Sequence, residues 1–128
     1  MEMFVPFKIA KKLKEKGFTL PILEIYGKFD SDGLFHSQLL CNYCETMNSE
    51  EIIAPTISQV LKWLRNKKDL YLGITYVPQI DKHNDFYFPT IQYIGKPMST
   101  VYTKPTDNFK TYEEAAFTGI EYIINNLI

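Results

Sequence analysis

The segment Thr111–Leu127 limits what this chain can fold into more than any other. Thr111 stands three residues before Glu114, the spacing of a capping box, and Glu113 adds negative charge to the first turn. Tyr112, Ala115, Ala116, Gly119, Ile120, Ile123 and Leu127 recur at helical spacing and predict one buried stripe. Ala115, Ala116 and Gly119 are small, so this helix is built to lie close against a sheet or a second helix. Close contact is also the physical reason to keep a glycine in a helix interior, where it costs ~1 kcal/mol against alanine.

Two further helices are written by the same rules. From about Pro6 to Lys16, Val5, Ile9, Ala10 and Leu13 form an apolar stripe, Lys8, Lys12 and Lys16 fall outside it, and Gly17 follows as a stop. Pro55 and the capping box of Thr56 with Gln59 open the other, in which Ile57, Val60, Leu61 and Leu64 fall on one face. Strands are expected between them. Leu20–Phe29 and Leu34–Tyr43 flank the turn Asp30-Ser31-Asp32-Gly33, a hairpin signal with Gly33 free to take positive φ. Leu70–Val77, Phe86–Ile94 and a short segment at Val101 follow, and Pro89 argues for an edge strand or a bulge. Met47–Ala54 and Val77–Asp85 are left as loops. The expected architecture is a single α+β domain over residues 1–128, a mostly antiparallel sheet with helices packed on one face, in the order α-β-β-α-β-β-(β)-α.

With 128 residues and 45% apolar content, the chain can bury a core without disulfide or metal staples. No apolar run approaches the ~20 residues of a membrane span, and Met1–Phe7 lacks the layout of a signal peptide, so a cytoplasmic protein is expected. The formal charge of -1 conceals blocks: residues 1–28 carry six Lys against three Glu, whereas residues 29–56 carry five acids and no Lys or Arg.

The motifs that could carry chemistry are thin. Cys41 and Cys44 form a C-x-x-C, but no second ligand pair lies at zinc-finger spacing from it, and cysteines three apart in a strand point to opposite faces. Structural thiols are the reading that follows, with metal or redox use as the alternative. Setting Gly33 at the glycine of a calcium loop would place Lys28 and Leu39 at ligand positions, which neither can fill. Glu50-Glu51 and Asp81 with Asp85 read as solvated loop acids. No G-x-S-x-G, H-E-x-x-H, P-loop or G-x-G-x-x-G occurs. No catalytic residue, metal ligand or cofactor is therefore assigned, and a non-enzyme is expected. The aromatics are more suggestive: Tyr71, Tyr76, Phe86, Tyr87, Phe88, Tyr93 and Tyr102 crowd the C-terminal strands. Core packing is the leading reading of such a group and an interface the alternative, since tyrosine joins large area to a polar tip.

Two resemblances add to this. From Thr56 onward the order α-β-β-β-α is similar to the double-stranded-RNA-binding domain, a family that carries a lysine cluster at the start of its second helix. The matching positions here read Thr111-Tyr112-Glu113-Glu114, and acids there repel phosphate. The blocks from Ile9 to Phe18, from Ala54 to Arg65, and Thr111–Ala116 with Gly119–Tyr122 resemble a family of small uncharacterised bacterial proteins from gut anaerobes and their phages or mobile elements. That resemblance implies no activity, substrate or cofactor. The leading expectation is a small accessory or interaction protein whose tyrosine-rich sheet face meets a protein partner or a second copy. The alternative is weak nucleic-acid binding through Lys8, Lys11, Lys12, Lys62, Arg65, Lys67 and Lys68, which the even charge balance argues against. A third is a small hydrolase or metal enzyme that gathers His36 or His83 with acids.

Overall fold

The computed structural model describes residues 3–20, 26–38, 51–81, 84–96, 100–103 and 109–128. Its elements are α1 (Phe7–Glu15), β1 (Tyr26–Phe29), β2 (Phe35–Gln38), β3 (Ile52–Ala54), α2 (Ile57–Lys67), β4 (Leu70–Val77), β5 (Phe86–Tyr93), β6 (Thr100–Thr103) and α3 (Tyr112–Asn126). The class is α+β. The strands form two antiparallel three-stranded sheets rather than one, ordered β2-β1-β3 and β4-β5-β6. The chain divides into two compact units, Met1–Trp63 and Leu64–Ile128.

In the first unit, α1 buries Ile9, Ala10 and Leu13, with Val5 beside them. It ends in a Schellman motif: the Phe18 amide donates to the Leu13 carbonyl at 3.0 Å and the Gly17 amide to Lys14 at 3.1 Å, with Gly17 at φ +82°. Phe18 then meets Trp63 edge-on at 5.2 Å. The hairpin turn forms as its sequence directs. The Asp30 carboxylate accepts from the amides of Asp32 (2.9 Å) and Leu34 (3.0 Å), and Gly33 takes φ +82°. The described part of the hairpin is shorter than expected, Tyr26–Phe29 paired with Phe35–Gln38. The end of the expected loop Met47–Ala54 is a strand: β3 pairs along the other side of β1, Lys28 facing Ile53. Three residues give too little periodicity to read from sequence. Cys41 and Cys44 lie outside the described residues.

The capping box of α2 is reciprocal. Thr56 N–H donates to Gln59 Oε1 at 3.0 Å, and Gln59 N–H to Thr56 Oγ1 at 3.2 Å. Ile57, Val60 and Leu64 are buried as expected, Leu61 only half so, and Trp63 joins the buried face. Asp69, at φ +54°, turns the chain from α2 into β4, and its carbonyl accepts from Ile94 at 2.9 Å.

The second unit is a meander with α3 on it. β4 and β5 pair over their full lengths, from Leu70 opposite Tyr93 to Val77 opposite Phe86. β5 is the middle strand, so Pro89 does not sit on an edge; the irregularity is at Ile91/Gln92, against β6. Tyr87 exchanges two backbone bonds with Phe109, at 2.8 and 3.1 Å, on the side away from β4. Alternation along β5 then aims the position of Pro89's missing N–H to that same side. The described pairings there stop at Tyr87 and resume at Thr90, so the proline interrupts none of them. Thr111 Oγ1 caps α3 by accepting from the Glu114 amide at 3.1 Å. Ala115, Ala116, Gly119, Ile120 and Ile123 are buried, joined by Ile124, whereas Tyr112 and Leu127 leave the stripe: Tyr112 is exposed and Leu127 half-buried. Terminal positions of a helix outrun the sheet beneath it, which periodicity alone does not register.

A Cβ on Gly119 would stand 2.6 Å from a Leu72 methyl and 3.2 Å from Pro89 Cβ. Gly119→Leu gains ~1 kcal/mol of helix propensity but overpacks a tight contact at ~1–3 kcal/mol or more. The variant should unfold at lower denaturant concentration; a midpoint above that of the natural protein would mean that Gly119 does not touch the sheet.

Candidate functional site

Cross-strand partners share a sheet face, so the register of β4 and β5 sorts the aromatics. One face carries Leu70, Leu72, Ile74 and Tyr76 with Tyr87, Pro89, Ile91 and Tyr93. Gly119 of α3 lies against Leu72 and Pro89, which identifies this as the helix-covered face, and Leu70, Leu72, Pro89 and Ile91 are buried in it. The other face carries Tyr71, Gly73, Thr75 and Val77 with Phe86, Phe88, Thr90 and Gln92. Not one of these residues is buried, and none is charged.

The seven aromatics read from sequence as a candidate interface divide between the two faces. Tyr71, Phe86 and Phe88 stand on the open face; Tyr76, Tyr87 and Tyr93 stand on the helix side. Tyr102 is opposite Ile91 in the β6 register. A run such as Phe86-Tyr87-Phe88 feeds both faces by the two-residue period of a strand. On the open face the Phe86 and Phe88 rings lie 6.4 Å apart, and Tyr71, 47% exposed, extends over Gly73, where a Cβ would meet its ring at 3.1 Å. Gly73 thus leaves room for a ring to lie flat along the strand, an arrangement known to shield strand glycines.

On the helix side, beyond the buried residues, Tyr76 packs with Tyr87 at 5.2 Å. Its hydroxyl donates to Asp85 Oδ2, and Asp85 Oδ1 accepts from the Gln79 amide at 2.6 Å. The Tyr76 bond, with that of Gln79, holds the Asp85 carboxyl below its ordinary range, and the same bond raises the tyrosine. The two bonds tie Tyr76 and Gln79 to Asp85 and so fasten the β4–β5 connection. His36 is likewise engaged, its Nε2 lying 2.9 Å from Asp30 Oδ2, a bond that lowers the Asp30 pKa. Among the described residues no cluster of His, Cys, Asp or Glu could hold a metal ion. His83, with the two cysteines, lies outside them.

Of the basic residues, Lys8, Lys11, Lys62, Arg65, Lys67 and Lys68 are exposed and Lys12 half-buried, distributed over α1 and α2 and the residue that follows it. Among the described residues no helix is long and apolar enough to cross a membrane.

Sequence reasoning missed an aromatic cluster in the first unit. Phe4 meets Phe35 at 5.0 Å, Phe35 meets Phe29 at 5.6 Å and Phe29 meets Phe7 at 5.2 Å. Gly27 lets the Phe35 ring lie on β1, where a Cβ would come within 2.6 Å of it. The hairpin turn signals Phe29 opposite Phe35, but Phe4 reaches them through a lone bridge to Thr56 that no pattern announces.

Compared with protein-family models, curated proteins and solved structures, the chain matches none.

The Asp85 bonds set a pH dependence. A carboxylate whose pKa is lowered by folding contributes stability above the unfolded pKa, roughly 4, and that contribution is lost as pH falls through the lower, folded value. The amide proton of Gln79 should titrate with a midpoint below the ordinary aspartate range in an NMR pH series. A midpoint at or above that range would show that Asp85 does not hold the connection.

Proposed function

We propose that this is a small non-enzymatic accessory protein, acting in the cytoplasm, that uses the open face of β4 and β5 to bind another protein. The observation that carries the reading is the composition of that face: Tyr71, Phe86 and Phe88, flanked by Thr75, Val77, Thr90 and Gln92, with no charged side chain and none buried. Interface cores are depleted of charge and enriched in Tyr and Phe, because burying an unpaired charge is costly while an aromatic ring brings much area for few lost rotamers. The mobile-element origin that the resemblance implies accords with a protein that acts by contact.

The nucleic-acid reading has less in its favour. The N-terminus of α3 is filled by its own cap, with Glu113 and Glu114 in the first turn, so it offers phosphate no site. Fluorescence anisotropy with a labelled RNA duplex should show only weak binding that is lost at physiological salt; tight binding with a steep salt slope would replace the present reading.

The proposal itself is tested by photocrosslinking in the cell. A benzophenone amino acid in place of Phe88 should give discrete protein adducts that disappear when Tyr71→Asp is added, and the same group at Asn125 on α3 should give none. Equal crosslinking from both positions, or none from Phe88, would contradict it.

A further inference from the structure

β4 is an edge strand: its eight residues pair with β5 on one side, and among the described residues no strand pairs with the other. The bond from the Ile94 amide to the Asp69 carbonyl fixes the phase of the β4–β5 ladder. Counting from it, Tyr71, Gly73, Thr75 and Val77 turn their backbone groups toward β5, and Leu70, Leu72, Ile74 and Tyr76 turn theirs outward. Natural edges are guarded by lysine, proline, bulges or shortness. Leu70–Val77 has none of these and carries no charge.

We propose that β4 pairs with β4 of a second copy, antiparallel, about a two-fold axis at Gly73. This register uses all the outward groups at once: Leu70 and Tyr76 of one copy exchange bonds with Tyr76 and Leu70 of the other, and Leu72 exchanges with Ile74. Gly73 meets Gly73 at the axis, and each Tyr71 falls opposite Thr75 of the other copy. The ends are complementary in charge. Arg65, Lys67 and Lys68 against Asp69 precede β4, while Asp81 and Asp85 against Lys82 stand beyond its far end. Antiparallel pairing brings the basic end of one copy alongside the acidic end of the other. An axis normal to the sheet keeps both open faces on the same side, so two copies present one continuous six-stranded surface. The pairing is closed and isologous, which ends association at the dimer. It deepens the interaction reading by naming a partner, but its geometry rests on the strand edge and not on what covers the open face.

Light scattering on the full chain should give twice the 15.0 kDa of one copy. Ile74→Pro removes an outward N–H that the β4–β5 ladder does not use, and should halve that mass while leaving circular dichroism unchanged. Where that variant does not fold, Gly73→Cys in a Cys41→Ser, Cys44→Ser background decides the matter: mild oxidation should crosslink it into a covalent dimer. A natural chain that stays monomeric at the highest attainable concentration overturns the proposal and leaves the edge to a strand of another protein. A folded Ile74→Pro dimer, or failure of Gly73→Cys to crosslink, overturns it too. A monomer whose Phe88 position still crosslinks in the cell would leave the open-face reading standing alone.

Discussion

The closeness of α3 to β4 and β5 is the constraint from which the rest of the second unit follows. Ala115, Ala116 and Gly119 keep the helix surface low, so Leu72 and Pro89 reach the helix at Gly119. A larger residue there would lift the helix and open voids around Ile91 and Ile120, now fully buried. α3 buries Leu70, Leu72, Pro89 and Ile91 on one face, and residues of the opposite parity in β4 and β5 point away from it. Phe86, Phe88 and Tyr71 are left on the open face by the same alternation that buries Leu70, Leu72 and Ile91.

That division gives the functional argument its content. Crowded tyrosines and phenylalanines in a sequence do not distinguish core from interface. Once the covered face is known, the aromatics on it are accounted for: Tyr87 and Tyr93 are half-buried, and Tyr76 is tied through its hydroxyl to Asp85. What remains on the other face is an uncharged aromatic group, with Tyr71 exposed and Phe86 and Phe88 half-buried. The polar clusters that could have suggested catalysis are engaged in turns: Asp30 with its two amides and His36, Asp85 with Gln79 and Tyr76.

Local chemistry was legible from sequence wherever one element dictates it. The capping box at Thr56–Gln59, the Thr111 cap, the glycine stop at Gly17, the Asp30–Gly33 turn and the limits of β4 could be read because each depends on residues within a few positions. Long-range placement was not. β3 is three residues long and is a strand only because β1 lies beside it. Pro89 reads as an edge or bulge signal; it sits in the middle strand, where the described pairings on its donor side skip that position and the irregularity falls at Ile91/Gln92. The aromatic surface was legible as composition but not as geometry, since assigning each ring to a face requires knowing which face α3 covers.

One measurement tests that assignment directly. Nuclear Overhauser contacts in the natural chain report which protons lie within about 5 Å of one another, without any substitution. The structure predicts contacts from Gly119 Hα to the Leu72 methyls and the Pro89 ring, and none from α3 to Phe86, Phe88 or Tyr71. Contacts from α3 to Phe88 or Tyr71, with none to Leu72, would mean that the faces are reversed and that the open aromatic surface does not exist.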